Sequence, residues 1–346
     1  FRRVLFRSCS GSGSSVSDTA LSTVYRIPYV HVRIGADEIP RTVAVTGEDR
    51  FGQDLTGADP HSVEVWDTAI TEVLDFRGDP SERLHELTAT DDAFVMGLVV
   101  TTAGAVLGGD DPLSESLQTD LAVLEARCGH ATERERAHAG AVATLVDGNF
   151  TAAAARWEAI GASHPHDVVA TKMAHDIYLH VGDDARRLQA STAVIGRLRV
   201  GDPGYGVAAG QHAFALEEVG RYEEAERFGR LALEVDAVDI WALHALAHVY
   251  EMQGRHLEAV EHLRSTRADW EERDHLALHL LWHLSLRLIA AAELDECLEI
   301  FHEQDRKSTR LNSSHKPISN AAISMKKTNV KTLPTPSTRM TSSSQQ

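Results

Sequence analysis

The sequence of 346 residues has 43% hydrophobic and 25% charged residues and a formal net charge of −17, a composition typical of globular proteins. Its ends are basic, and residues 18–304 carry 27 excess negative charges. This acidic body excludes nucleic acid and anionic membranes as expected partners and favours a basic protein or peptide, although a surface serving only solubility explains it equally well. Three scattered cysteines without a CxxC pair predict a reducing, cytoplasmic compartment.

Both ends of the chain differ in composition from its middle. Residues 1–17, which begin FRRVLFRS, and residues 305–346, which begin DRKSTRLNSSHKPIS, resemble translated sequencing adapters. We therefore predict a non-native or disordered leader and a disordered, non-native tail. Residues 18–58 contain short strand-like runs in an irregular segment, and whether that segment is native stays open.

Residues 59–129 are predicted to form divergent helical pairs that cap the rest of the fold. Apolar residues at helical spacing follow Pro60 and end near Gly78, and further helical patterns begin at Ser81 and at Leu113. The uncharged stretch Ala93–Gly109 between them is too short to cross a bilayer and contains glycine and threonine. It is predicted to be a buried helix, so we expect no membrane association.

A ladder of glycines organises residues 130–304. The intervals between these glycines are 34, 38 and 34 residues, and each glycine separates two helical patterns: Gly148, Gly182, Gly220 and Gly254. A period near 34 is typical of stacked helix–turn–helix pairs, in which each pair buries its apolar face against its neighbours. A fifth copy follows after another 38 residues with Ala292 in place of glycine. The pattern predicts an all-α, right-handed solenoid of about five tetratricopeptide-repeat-like antiparallel helix pairs.

Several stretches extend this likeness to a particular family. In chain order, DAFVMGLVV, GNFTAAAARWEAI, HPHDVVATKMAHDIY, WALHALAHVYEMQGR and LHLLWHLSLRLI resemble the tetratricopeptide repeat protein 38 family, over about residues 50–303. The family continues with more helical pairs, which implies that this chain is truncated and self-associates through its last repeat. The resemblance implies a repeat scaffold and no particular reaction.

Groove positions follow from the repeat register. In tetratricopeptide repeats, defined positions of the first helix line the concave surface. The residues at those positions are polar or aromatic and are our candidate ligand-binding residues: His138, Lys172, Asp176, Phe214, Glu217, Trp241, His244, His248, Glu251, His279 and Trp282.

Histidines in two repeats also have the spacing of metal ligands. His244 and His248 are four residues apart, with Glu251 three further on, and His279 and His283 repeat the four-residue spacing. Side chains at this spacing share one face of a helix. These five residues are chemically sufficient to bind Zn²⁺ or another divalent metal with a position left for water.

Three interpretations of these residues remain open. The one we favour is a non-catalytic scaffold that needs no cofactor and binds a protein or peptide in its groove. In the second, the histidines are structural and are hydrogen-bonded inside the solenoid. In the third, the five-residue set binds a metal and acts on a substrate, although the sequence contains no HExxH motif, phosphate loop or nucleophile elbow.

Overall fold

A computed structural model describes residues 46–91 and 93–312, and the predictions for residues 1–45 and 313–346 lie outside the described residues. The described chain forms one small antiparallel hairpin followed by fifteen α-helices. The elements are β1 (Thr46–Glu48), β2 (Asp54–Thr56), α1 (Pro60–Asp75), α2 (Pro80–Thr90), α3 (Val95–Gly108), α4 (Glu115–Arg127), a 3₁₀ turn (Cys128–His130), α5 (Glu133–Val146), α6 (Phe150–Ser163), α7 (Val168–Val181), α8 (Asp184–Ile195), α9 (Tyr205–Glu218), α10 (Tyr222–Val235), α11 (Ile240–Met252), α12 (His256–Ser265), α13 (Arg267–Trp270), α14 (Asp274–Ala290) and α15 (Leu294–Asn312).

From α5 onward the helices form stacked antiparallel pairs. Helices α5 and α6, α7 and α8, α9 and α10, and α11 and α12 pack within their pairs, and α9 also packs against α8 and α11 of the neighbouring pairs. This is the all-α solenoid that the glycine period predicts. The first helices of successive pairs lie side by side, so α7, α9, α11 and α14 together form one layer.

The glycine ladder marks the turns within the pairs. Gly148, Gly182, Gly220 and Gly254 have φ angles of 78°, 73°, 81° and 71°. This left-handed region is accessible to glycine without a steric cost, because glycine has no Cβ. The four glycines therefore end the first helix of each pair in a tight turn.

Ala292 occupies the corresponding turn of the last pair, with a φ of 61°. Because an L-residue with a Cβ is strained in this conformation, Ala292→Gly should stabilise the protein by about 1 kcal/mol. Chemical denaturation of both proteins measures the change. Gly254→Ala is the matched control and should destabilise the protein by a similar amount, and a destabilised Ala292→Gly variant would contradict the prediction.

The predicted helices before the repeats are present. Pro60 opens α1, and Asp59 caps it by accepting a hydrogen bond from the backbone of Ser62 at 2.8 Å. The uncharged stretch forms α3, whose Val95, Met96 and Val99 are fully buried. Of the helices that the structure describes, none combines the length and apolar character that a bilayer crossing requires.

The last described helix runs past the expected boundary at residue 304. Helix α15 continues to Asn312. Its residues Leu294, Leu298 and Phe301 are 54–57% exposed and lie at helical spacing on one face.

This apolar face of α15 should cause self-association. Such contiguous exposed apolar surface favours contacts between copies of a chain. Replacing both Leu298 and Phe301 by lysine should shift the weight-average mass toward the monomer in analytical ultracentrifugation. A mass that is unchanged, or already monomeric in the unsubstituted protein, would contradict the prediction, and Leu113→Lys, at a distant exposed leucine, is the control.

Candidate functional site

The repeat register places Glu135 and His138 at the groove positions of the first repeat, and both are buried by the chain itself. The carboxylate of Glu135 accepts hydrogen bonds from the backbone N–H and the hydroxyl of Thr56 in β2, at 2.9 and 2.5 Å. His138 is fully buried; its Nε2 lies 2.9 Å from the Asp167 carboxylate, and its Nδ1 accepts a hydrogen bond from the Trp157 indole. Both side chains are thus structural.

The groove positions of the second repeat contact the end of α1. Lys172 is paired with Asp176 at 2.6 Å, and its ammonium lies 4.4 Å from the centre of the Phe76 ring. Burial alone would raise the pKa of Asp176, but Lys172 and the hydrogen bond from His175 lower that pKa to about 2. Phe76, which follows α1 and has a left-handed φ of 53°, thereby joins the end of α1 to a predicted groove position of the second repeat.

Helix α11 begins beside this contact. Asp239 caps the helix by accepting a 2.7 Å hydrogen bond from the backbone of Ala242, and Trp241 packs edge-on against Phe76 at 5.9 Å. The Asp239 carboxyl is buried, and this burial, together with the nearby carboxylates of Asp236 and Asp75, raises its pKa to about 7.

Asp239 should make stability depend on pH. Folding raises the pKa of this carboxyl above its unfolded value near 3.8, so its contribution to the free energy of unfolding is fully present below that value. The contribution is lost as pH rises through about 7, because the unfolded state gives up its proton first. Asn can keep the cap without the charge, so Asp239→Asn should gain about 2 kcal/mol more, relative to the unsubstituted protein, at pH 8 than at pH 5. Urea denaturation at both pH values tests this, and an equal difference at the two pH values would contradict it.

Four histidines from two neighbouring repeats converge between α11 and α14. His244 and His248 project from α11, and His279 and His283 from α14. One ligand nitrogen from each lies within 4.8 Å of the other three. His244 and His283 are buried, whereas His248 and His279 are partly exposed, so this four-histidine ring lies at the boundary between core and solvent.

The ring nitrogens that meet are all Nε2 atoms. The Nε2 of His248 lies 3.0 Å from that of His283, which lies 3.0 Å from that of His279. The Nε2 of His279 lies 2.9 Å from that of His244. A group of four imidazoles thus presents four equivalent nitrogens to one point.

Carboxylates contact two of the four imidazoles on the Nδ1 side, away from the Nε2 atoms that meet. Glu217 on α9 contacts the Nδ1 of His248 at 3.1 Å, and Glu251 on α11 contacts the Nδ1 of His283 at 3.0 Å. The second oxygen of Glu251 is bound by Arg287 at 3.0 Å. Histidines that bind metals usually donate their other N–H to a carboxylate in this way.

These contacts fix the tautomers and leave lone pairs facing each other. A carboxylate only accepts hydrogen bonds, so the Nδ1 atoms of His248 and His283 carry protons and donate them to Glu217 and Glu251. In a neutral imidazole the Nε2 then carries a lone pair. Two such lone pairs at 3.0 Å repel each other, and a cation between them removes the repulsion.

Protonation is disfavoured at the two buried histidines, His244 and His283. Burial lowers the pKa of His244 well below its usual range, and the neighbouring His248, His279 and His283 lower it further. Burial also lowers the pKa of His283, against the opposing hydrogen bond to Glu251. Neutral imidazoles at neutral pH are the form that binds metals.

Aromatic side chains surround the ring. Phe214 stacks on His244 with centroids 4.9 Å apart, and Trp241 tilts against both of them. Trp282 is 45% exposed and stacks on His279 at 5.7 Å. Phe214 and Trp241 therefore pack against the four-histidine ring on its buried side, and Trp282 packs against it at the surface.

The sequence-predicted residues divide into two groups. Those in the last repeats come together around the ring: Phe214, Glu217, Trp241, His244, His248, Glu251, His279, Trp282 and His283. His138, Lys172 and Asp176 lie elsewhere, in contacts within the chain. Glu251, predicted as a metal ligand, instead lies behind His283, because its carboxylate contacts Nδ1 rather than Nε2.

Arg287 contacts the site but is not among the residues that the sequence predicts. It follows His283 by four residues on α14, and it pairs with Glu251 and lies 3.1 Å from the Nδ1 of His256. The continued four-residue spacing after His279 and His283 was the available signal.

Comparisons with known proteins add little to this geometry. No family model matches the chain, so membership of the tetratricopeptide repeat protein 38 family stays a prediction. A solved structure titled "Crystal structure of MamA" is similar at 17% sequence identity and a TM-score of 0.39, over 49% of this chain and 96% of that chain. At that score the likeness carries no argument about function.

Proposed function

We propose that the protein binds one divalent transition metal ion between α11 and α14 through the Nε2 atoms of the four-histidine ring. The observation that carries the proposal is the approach of these atoms to 2.9–3.0 Å along three successive pairs. Metal–imidazole bonds of about 2.0–2.1 Å bring ligand nitrogens to about 3 Å from one another. Hydrogen bonding between neutral imidazoles explains these short distances less well, because the Nε2 lone pairs of His248 and His283 face each other.

The surroundings of the ring fit a metal. Glu217 and Glu251 orient the rings of His248 and His283 and raise their basicity. Glu217 also offsets part of the charge of a divalent ion, since the four imidazole ligands are neutral, whereas the charge of Glu251 is balanced by Arg287. Ligands from two repeats mean that the metal joins α11 to α14.

Titration calorimetry with Zn²⁺ tests the proposal. We expect one equivalent to bind the unsubstituted protein and the His85→Ala variant, which removes an exposed histidine from α2. His248→Ala should bind at least about 100-fold more weakly, because it removes a metal ligand and not merely a carboxylate that supports a ligand. The proposal is excluded if Zn²⁺, Ni²⁺ and Cu²⁺ all fail to bind, or if His248→Ala binds as tightly as the His85→Ala control.

Docking of a peptide is a second candidate function, favoured by one feature of α14. Leu278 and Trp282 are 54% and 45% exposed and lie one turn apart beside His279. An exposed tryptophan next to an aliphatic side chain is typical of the anchors that dominate binding interfaces. The acidic body favours a basic peptide.

Selection from a random peptide library tests this candidate. The unsubstituted protein should enrich lysine- and arginine-containing peptides, and Trp282→Ala should lose that enrichment. Leu113→Ala, at an exposed leucine on the other part of the chain, is the control. Equal enrichment by Trp282→Ala would exclude this part of α14 as a docking site.

A further inference from the structure

We infer that the four-histidine ring selects a metal of tetragonal geometry, Cu²⁺ or Ni²⁺, over tetrahedral Zn²⁺. The inference rests on the proposed function, because it concerns which ion the same four nitrogens bind. The evidence is how the four imidazole groups are placed relative to one another. This placement is a separate observation from the presence of four histidines.

The four ring centroids form a flattened quadrilateral. Its sides are 4.3 Å between His244 and His248, 4.5 Å between His248 and His283, 4.5 Å between His283 and His279, and 4.8 Å between His279 and His244. Its diagonals are longer, at 5.4 and 6.3 Å. A tetrahedral set has six equal separations, whereas a square set has four short and two long ones, so the ring lies closer to a square.

The nitrogen positions repeat this pattern. The three Nε2 contacts of 2.9–3.0 Å follow three sides of the quadrilateral, and none of them crosses a diagonal. Neighbouring nitrogens in a square-planar site with bonds of 2.0 Å are about 2.8 Å apart, whereas those in a tetrahedral site are about 3.3 Å apart. The observed separations lie nearer the square-planar value.

The solenoid explains why the ring is four-sided. Each helix contributes two histidines one turn apart, which makes two sides of similar length along the helices. The other two sides run between helices, because His279 faces His244 and His283 faces His248 in the next repeat. The first helices of successive repeats run in the same direction, so the two histidine pairs stay in register.

This arrangement has a chemical consequence. Square-planar and tetragonal sites with nitrogen ligands are typical of Cu²⁺ and Ni²⁺, whereas Zn²⁺ favours a tetrahedral set. A tetragonal ion also leaves the positions above and below the plane for water or another ligand. His248 and His279, at opposite corners, are partly exposed, so such a ligand can reach the ring from solvent.

Electron paramagnetic resonance of the Cu²⁺-loaded protein tests the geometry. We expect an axial spectrum with superhyperfine coupling to four nitrogens, and His279→Ala should reduce the coupling to three. A strongly rhombic or tetrahedrally distorted spectrum would overturn the inference, as would coupling to fewer than four nitrogens in the unsubstituted protein.

Competition between Ni²⁺ and Zn²⁺ is the second readout, because Cu²⁺ outcompetes both at most nitrogen sites. We expect Ni²⁺ to bind at least as tightly as Zn²⁺. If Zn²⁺ binds more than about tenfold more tightly than Ni²⁺, the tetragonal inference fails while the proposed metal site stands. If no metal binds, both fail.

Discussion

Replacing His283 by alanine should weaken metal binding by more than about 100-fold. His283 is the corner of the ring at which the Nε2 contacts from His248 and His279 meet, and its Nδ1 is held by Glu251. The substitution removes a metal ligand and also the hydrogen bond that the Nδ1 of His283 donates to Glu251. Titration calorimetry measures the loss, and circular dichroism checks that the variant keeps its helices.

A graded series separates this role from a structural one. Glu251→Gln keeps the size of the side chain but weakens its hold on His283, so we expect metal affinity to fall by about 10- to 100-fold. His85→Ala, on α2, should leave affinity unchanged. Affinities that are equal in His283→Ala and His85→Ala would show that His283 is not a ligand.

Metal binding should stabilise the last repeats more than the rest of the solenoid. An ion that binds only the folded state adds about 2.7 kcal/mol at a free concentration 100 times its dissociation constant. The four ligands come from α11 and α14, and a carboxylate from α9 supports one of them. We therefore expect hydrogen exchange to slow in α9, α11 and α14 when metal is added, with little change in α5 and α6.

The His283→Ala variant is the control for this second result. Because its affinity is at least about 100-fold weaker, its exchange rates and its midpoint of chemical denaturation should respond much less to the same concentration of metal. Slowed exchange spread evenly over the repeats, or equal stabilisation of the variant, would contradict metal binding between α11 and α14.

The fold was predictable because its signals are local. Four of the five turns use a glycine with positive φ, and in three of them a small residue follows five positions later, where Ala153, Ala225 and Ala259 are fully buried. Both features leave a periodic trace in the sequence. The end of α15 was not predictable from composition, because a helix can continue through residues of a different composition.

The site was predictable in part. The four-residue spacing of His244 and His248 places them on one helix face, but only the repeat register brings the second pair opposite the first. The position of Glu251 behind His283 depends on side-chain orientation, which spacing does not show. The contact of Phe76 with Lys172 joins residues nearly a hundred positions apart, so the approach of the end of α1 to α7 left no local signal.

Anomalous diffraction from a crystal of the metal-loaded protein would show directly whether the four histidines bind the ion. Maps collected above and below the absorption edge of the added metal locate the ion without reference to its ligands. We expect a single strong peak between α11 and α14, about 2.0–2.1 Å from the Nε2 atoms of His244, His248, His279 and His283. A metal peak at another location, or the absence of any peak between these helices, would contradict it.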